Sequence, residues 1–285
     1  NILSNIVKKI AEHILVISPL FEPEVNRVND LVDHLIKSGK KITVMCPIPN
    51  YPNGKYFDGY SILRKRYEVK GNLRIVRVMI WPRFNGSKIN LFLNYLSFIL
   101  FSTIPAIKLC FSKIDMVFVN QVSPITIAIP GIIVKKLRNI PLIMWVTDLW
   151  PESVKDAGNL KSNFIPNIIL PIVKYIYNSC DKILVSSKAF IGSVREKTTS
   201  DKEIIYMPQW GESTFSDQEI IDYKNNDFEK IKDFKVLFAG NIGVAQDFES
   251  IIKAMNEIRN FPIHLVVLGD GRAKEDLLKK INNLK

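Results

Sequence analysis

Short apolar runs recur along the chain at His13 to Ser18, Lys41 to Cys46, Leu73 to Val78, Met116 to Asn120, Pro141 to Val146, Lys182 to Ser186 and Glu203 to Met207. Helix-length segments separate most of them, and continuous apolar runs of this length belong to strands buried on both faces. The alternation predicts an α/β domain built on a doubly wound parallel sheet. From Pro208 to Asp233 the chain turns polar and acidic without clear periodicity, which reads as a linker with a peripheral turn. A second series follows: strand Lys235 to Ala239, loop Gly240 to Gln246, helix Asp247 to Asn260, strand Ile263 to Leu268, loop Gly269 to Arg272 and a helix from Ala273. Two strands do not make a stable sheet of this type. The second domain is therefore expected to be incomplete, with the division falling at 1–207, 208–233 and 234–285. A start without Met and a stop at Lys285 inside a helical pattern read as a fragment, cut at its C-terminal end.

The stretch Ile89 to Phe111 is long and apolar enough to span a bilayer, but Asn90, Asn94, Ser97, Ser102, Pro105 and Lys108 interrupt it. A span here would also put the halves of one sheet on opposite sides of a membrane. The expectation is a helix packed on the sheet, with an outward aromatic face (Phe92, Tyr95, Phe98 and Phe101 among its candidates) dipping into the membrane interface. A fully buried core helix is the competing reading.

Charge sharpens that expectation. The net +11 is unevenly placed: Lys and Arg number 28 against 15 Asp and Glu through residue 207, and 11 against 13 thereafter. Between Ser61 and Lys113 stand ten basic residues and one acid, Glu68, an arrangement that suits anionic lipid headgroups or a diphosphate. No nucleic-acid-binding motif accompanies them, so nucleic acid is not an expected partner. Cys46, Cys110 and Cys180 are odd in number, far apart and set among apolar residues, as buried thiols in a reducing compartment are. No Cys/His cluster points to a metal, and no secretory cleavage pattern opens the chain.

Candidate chemistry lies where parallel strands end, since ligands of open α/β sheets bind outside the carboxyl ends. Val146-Thr147-Asp148-Leu149-Trp150-Pro151-Glu152-Ser153 follows an all-apolar strand and offers Asp148 and Glu152 to a hydroxylated or cationic substrate. Asp148 could equally cap the next turn, with Trp150 as core filler. The loop after the first strand, Pro19 to Arg27, precedes a helix whose N-terminus suits an anion, with Asn26 and Arg27 within reach of a ligand; an ordinary connection would look alike. After the second strand, Pro47 to Tyr56 is a proline-stiffened loop in which Asn50 and Tyr51 suit a sugar ring or a lipid-linked headgroup. In the second series, Gly240, Asn241, Gly243 and Gln246 link a strand to a helix start, and Gly269, Asp270 and Gly271 repeat a tight turn at the next strand end. Glycines there let a backbone approach phosphate.

Taken together, E-P-E, P-N-Y-P-N-G, S-P before a helix, D-L-W-P-E-S, G-N-I-G-x-A-Q and L-G-D-G resemble the family 4 glycosyltransferases, most closely the bacterial capsule and O-antigen amino-sugar branch that includes fucosamine transferases. The resemblance covers nearly the entire chain. It implies the GT-B fold, two facing Rossmann-like domains, and retaining transfer from a UDP-sugar to a polyprenyl-diphosphate-linked or glycan acceptor, without metal or other cofactor. By the same resemblance Asp148 is catalytic. Glu24, Asn26, Arg27, Asn50, Tyr51, Trp150 and Glu152 bind the acceptor, and Gly240, Asn241, Gly243, Gln246, Gly269, Asp270 and Gly271 bind the donor. The implied location is the cytoplasmic face of the cell membrane, held peripherally. Two departures stand out: Val25-Asn26-Arg27 replaces a glycine-rich first loop, and Asn241 with Gln246 stands where many relatives carry an Arg/Lys pair. Neutral groups there leave more of the diphosphate binding to backbone and dipole. The family's E-x7-E pair would fall beyond Lys285, which implies that residues 1–285 alone are inactive. The competing classes are a non-catalytic nucleotide-sugar or lipid-carrier binding module and a Rossmann oxidoreductase, the latter weakened by the lack of G-x-G-x-x-G.

Overall fold

The computed structural model describes residues 11–51, 54–84, 87–157, 164–211, 226–243, 246–271 and 273–282. They form two compact units, one of residues 1–153 with 162–213, the other of 154–161 with 214–285.

The first unit is built on an eight-stranded sheet. Its strands are β1 (His13–Ile17), β2 (Lys41–Pro47), β3 (Tyr67–Lys70), β4 (Leu73–Val78), β5 (Met116–Gln121), β6 (Leu142–Val146), β7 (Lys182–Val185) and β8 (Glu203–Tyr206). Their order is β3-β4-β2-β1-β5-β6-β7-β8. Every pairing is parallel except that of β3 with β4. All seven strands predicted for this unit are present within a residue or two. β3 is the addition: Tyr-Glu-Val-Lys is largely exposed at the sheet edge, and an edge strand held by backbone pairing to β4 needs no apolar run to announce it.

The central strands are buried on both faces because helices cover both. α1 (Arg27–Lys37) buries Val28, Leu31, Val32 and Leu35, one face at helical spacing, and Asn26 caps it by accepting from the Val28 N–H. α2 (Lys88–Leu109) begins at Ser87, whose hydroxyl accepts from the Asn90 N–H. After a 3₁₀ turn (Ile125–Ala128), α3 (Ile129–Arg138) comes down on the sheet at Gly131. A Cβ there would stand 3.0 to 3.2 Å from Val117, Ile17 and Val119 side chains, so the helix sits close on β1 and β5 and a larger residue would need those side chains to shift by a few tenths of an ångström. α4 (Glu152–Ala157), α5 (Phe164–Ser179) and α6 (Phe190–Arg195) follow.

The strand order reverses between β1 and β5, and it is beside such a switch point that a doubly wound sheet opens a crevice. The loops after β1, β2, β5 and β6 gather at that end. One core element was read otherwise from the sequence: Trp210, inside the stretch taken as linker, stacks on the buried Trp145 with centroids 5.2 Å apart. The Trp145 indole N–H donates to the Met207 carbonyl. Residues 207–211 thus close the first unit.

α2 corrects the predicted aromatic face. Phe98 is 3% exposed and belongs to the core, and Tyr95 is half-buried against the edge of Trp150 at 6.3 Å. Phe92 and Phe101 face outward as expected, 63% and 40% exposed, and the full outward stripe is Ile89, Phe92, Leu96, Leu100, Ile104 and Ile107, spaced three or four apart. The basic residues change role as well. Arg77 on β4 is buried, pairs with Glu68, and donates to the carbonyls of Glu22 (2.9 Å) and Lys65 (3.1 Å), while Lys70 pairs with Glu22. These two charges hold loops together and do not face an external anion. Cys46 and Cys180 are buried thiols pushed up to about 12 by burial; Cys110 is half-buried.

The second unit, within the described residues, has α7 (Asn226–Lys230), β9 (Phe234–Ala239), α8 (Phe248–Glu257), β10 (Ile263–Leu268) and α9 (Lys274–Asn282). β9 and β10 pair in parallel over six residues, and Ile242, Phe248 and Leu277 form a small buried cluster.

Candidate active site

Two depressions open at the carboxyl end of the first unit's sheet. The wider, of about 160 Å³, is lined by Asn26, Arg27, Asn120, Trp145, Thr147 and Gln209, with Val25 and Val122 at its sides. The narrower, of about 20 Å³, has room for little more than one water and runs between Asn50, Tyr51, Arg83, Asn94, Tyr95 and Ser123.

The wider pocket rests on a polar network at the switch point. Ser18 accepts from the Asn120 amide (3.0 Å) and donates to the Leu20 carbonyl, and the same amide reaches Asn26 Oδ1 at 3.3 Å. Asn26 is therefore engaged twice, as helix cap and as partner of Asn120, while it lines the pocket. Arg27 Nε donates to the Trp210 carbonyl at 2.8 Å, which fixes the guanidinium over the opening. Thr147 Oγ1 donates to the Gln121 carbonyl. Asn120, Thr147 and Gln209 were not singled out by sequence reading. Asn120 sits at the end of an apolar strand, a polar residue where burial gives it no other use, and that was the signal available.

Glu24 does not line either depression. It is 4% exposed, and its Oε1 accepts from the N–H groups of Asn50 (2.9 Å) and Tyr51 (2.7 Å), so the loop after β1 holds the loop after β2. Asn50 in turn donates to the Ile48 carbonyl. Tyr51 is 48% exposed and presents its ring to solvent. Burial raises the Glu24 carboxyl above its ordinary value, against the N–H groups of Tyr51, Asn50 and Phe21 and the charge of Arg83, which lower it. The native state thus binds this proton more readily than the unfolded chain. The group's contribution to stability is full below the unfolded value and is lost as pH rises through the raised folded value. Glu24→Gln keeps an acceptor oxygen and loses the charge. Its melting temperature relative to wild type is expected to climb as pH rises above the ordinary carboxylate range; melting curves showing a constant difference as pH rises would refute the assignment.

Asp148 follows β6, half-buried between Thr147 of the wider pocket and Ser123 of the narrower. Burial raises its carboxyl, while the nearby side chains of Ser153, Trp150 and Ser123 favour the ionised form. The Trp150 indole N–H and the Ser153 hydroxyl are themselves buried without a hydrogen bond of good geometry. Trp150 is a packing residue beneath the loop, its ring against Tyr95. Glu152 points into the protein: its Oε1 takes the Lys197 ammonium at 2.5 Å and the Ser193 hydroxyl at 2.7 Å. Burial acts to raise the Glu152 carboxyl, but Lys197 and Ser193 hold it below its ordinary value. Lys197, only 8% exposed, was not anticipated; it fastens the residues after Asp148 to α6.

In the second unit the two predicted glycine turns lie side by side. Parallel pairing of β9 with β10 brings Gly240 N–H to the Leu268 carbonyl and Ile242 N–H to the Asp270 carbonyl. Gln246 folds back to accept from the Gly243 N–H at 3.1 Å. Asp270 accepts from the Gly271 N–H and pairs with Lys274 at 3.5 Å, and that N–H, then Lys274, lower its carboxyl. Val244 and Ala245 of the predicted phosphate loop lie outside the described residues. Among the described residues no group of three His, Cys, Asp or Glu is placed to hold a metal ion.

A Rossmann-ordered parallel sheet with a polar pocket at its switch point, and a second strand-helix-strand unit with a glycine turn after each strand, define an α/β protein of the GT-B fold. No protein-family model matches the chain. In sequence it is 23% identical over 282 residues to an Escherichia coli protein named as colanic acid biosynthesis glycosyl transferase WcaI, covering 93% of this chain and 68% of that one. It is 26% identical over 145 residues to WbjE of Pseudomonas aeruginosa, named as a glycosyltransferase, covering 48% of this chain and 35% of WbjE. In structure it is similar to Anabaena HepE, solved with UDP and glucose: TM-score 0.59, 10% identity, 96% of this chain and 65% of HepE covered.

Proposed function

We propose that this chain is the acceptor-binding domain and the start of the donor domain of a glycosyltransferase. In this reading the enzyme moves a sugar from a UDP-sugar, with retention, to a polyprenyl-diphosphate-linked or glycan acceptor in capsule or O-antigen synthesis. The sugar is an N-acetylated amino sugar of the fucosamine type. The observation that carries it is the pocket at the β1/β5 switch point: neutral hydrogen-bonding groups of Asn26, Asn120, Thr147 and Gln209 with one cation, Arg27, suit sugar hydroxyls beside a phosphate. The names of the E. coli and P. aeruginosa relatives, and the UDP and glucose held by HepE, support the same class. Asp148 orients the acceptor hydroxyl, and the glycine turns after β9 and β10 let the leaving diphosphate approach the backbone closely. No metal or other cofactor takes part in this scheme. Its catalytic effect comes from orientation and fixed dipoles.

The acceptor's lipid suggests where the enzyme works. α2 is the one helix among the described residues long and apolar enough to cross a membrane, yet it connects β4 and β5 of a single sheet. A stripe of exposed apolar residues on a sheet-bound helix supports interfacial attachment to the cytoplasmic face of an anionic membrane. The test is UDP release from a UDP-sugar by the enzyme with its donor domain complete, with and without a lipid-diphosphate-sugar acceptor, run beside sedimentation with anionic vesicles at rising salt. Acceptor-dependent release, with binding to vesicles that weakens as salt screens it, is expected. Binding of both ligands without turnover over several donors would favour a non-catalytic carrier module.

A further inference from the structure

The polar residues that interrupt α2 have a use the helix itself does not require. Asn90, Asn94 and Ser97, at i, i+4 and i+7, form one face, and the segment Trp81-Pro82-Arg83-Phe84 is laid along it. Ser97 Oγ accepts from the Trp81 N–H (2.7 Å), Asn94 donates to the Trp81 carbonyl (2.6 Å), and Asn90 accepts from the Trp81 indole (3.2 Å). Asn94 is 2% exposed, and its Oδ1 accepts from Arg83 Nε at 3.3 Å. The guanidinium also lies 5.9 Å from the Tyr95 ring centre. Arg83 is thereby held at the narrow cleft with Asn50, Tyr51 and Ser123, the nearby carboxylate being Glu24, already engaged with two backbone N–H groups. Beside it in the chain stand Trp81 and Phe84, about half exposed and edge to face at 5.9 Å.

An arginine held at the mouth of a polar cleft that admits little more than water, beside half-exposed aromatics, suits an anionic group that stays at the surface. A lipid-linked sugar has such a group between its hydrocarbon chain and its sugar. We propose that Arg83 binds the phosphate that joins the acceptor's sugar to its lipid, its planar fork matching phosphate oxygens. This rests on the lipid-linked acceptor reading above, and it adds the residue that recognises the linkage. Asn94 is a positioning residue for that fork.

The experiment titrates the full chain with a short-chain prenyl diphosphate, the matching prenyl alcohol and inorganic diphosphate, following tryptophan fluorescence, for wild type, Arg83→Gln and Arg83→Lys. Wild type is expected to prefer the prenyl diphosphate over the alcohol, Arg83→Gln to lose roughly 10- to 100-fold in affinity for the diphosphate only, and Arg83→Lys to lose part of that. Where turnover is measurable, the loss falls on the acceptor KM and spares kcat. Equal binding by wild type and Arg83→Gln overturns the proposal, as does an equal loss for the alcohol. Competition by inorganic diphosphate as strong as by the prenyl compound assigns the site to free diphosphate and overturns the lipid source. If Arg83→Gln melts early, Arg83→Lys decides the matter. Failure of the enzyme with its donor domain complete to transfer sugar would end the transferase reading, and the titration would still decide the role of Arg83.

Discussion

Asp148→Asn in the enzyme with its donor domain complete is expected to lower sugar transfer by roughly 10²- to 10⁴-fold while the melting temperature stays within a few degrees of wild type. The two effects separate because of where Asp148 stands. It is half-buried, so the amide removes a desolvation cost and keeps an oxygen able to accept from Ser123 or Ser153. What the amide cannot do is hold a negative charge against an acceptor hydroxyl at the edge of the pocket formed by Thr147 and Asn26. The pH profile gives a second readout. Burial raises the Asp148 carboxyl, so wild-type kcat/KM should fall on the acid side at a pH above the ordinary carboxylate range, as the group protonates. The variant's residual activity should lack that limb. Wild-type rates in the variant would remove Asp148 from the site, and lost activity with a collapsed melting curve would reassign it to capping the turn.

Gly269→Ala should strongly damage the second unit. A Cβ at Gly269 would stand 1.9 Å from the carbonyl oxygen of Gly240, a backbone atom fixed by the β9–β10 pairing. No rotamer change relieves that contact; the two glycine turns must part. Overpacking of this kind costs about 1–3 kcal/mol and more where backbone is the obstacle. Faster amide exchange across β9 and β10, and roughly tenfold or greater loss of UDP-sugar affinity, are the expected readouts. Gly243→Val makes the useful contrast. Its Cβ would meet Asn241 Nδ2 at 2.7 Å and Gln246 Oε1 at 2.8 Å, both ends of side chains that can swing away. It should therefore weaken donor binding with a much smaller change in stability. Equal exchange rates in Gly269→Ala and wild type would mean that the turns are not packed as described.

The contrast between these glycines shows what kind of information a sequence holds. That glycines end β9 and β10 is visible in the order of residues, and so is the proposal that phosphate meets them. That Gly269 is irreplaceable while Gly243 is adaptable depends on which atoms of another strand end lie opposite. Glu24 and Glu152 make the same point. Both were read as groups turned toward a ligand, since carboxylates near strand ends often are. Glu24 is instead spent on the Asn50 and Tyr51 N–H groups, and Glu152 on Lys197 and Ser193, partners from 26 to 45 residues away.

The sequence by itself determined every strand of both units but β3, the doubly wound order that β-helix alternation implies, and the strand ends at which a site must lie. Those features follow from burial and chain connectivity, which local hydrophobic pattern records directly. Only the tertiary structure decided which polar residues face a pocket and which are consumed within it, that Trp210 closes the first sheet, and that Phe98 is core while Phe92 is surface. The physical reason is that a polar side chain takes whichever partner folding brings within about 3 Å. For Glu24, Arg27, Asn120 and Arg83 that partner comes from an element distant in the chain, and nothing in the local pattern names it.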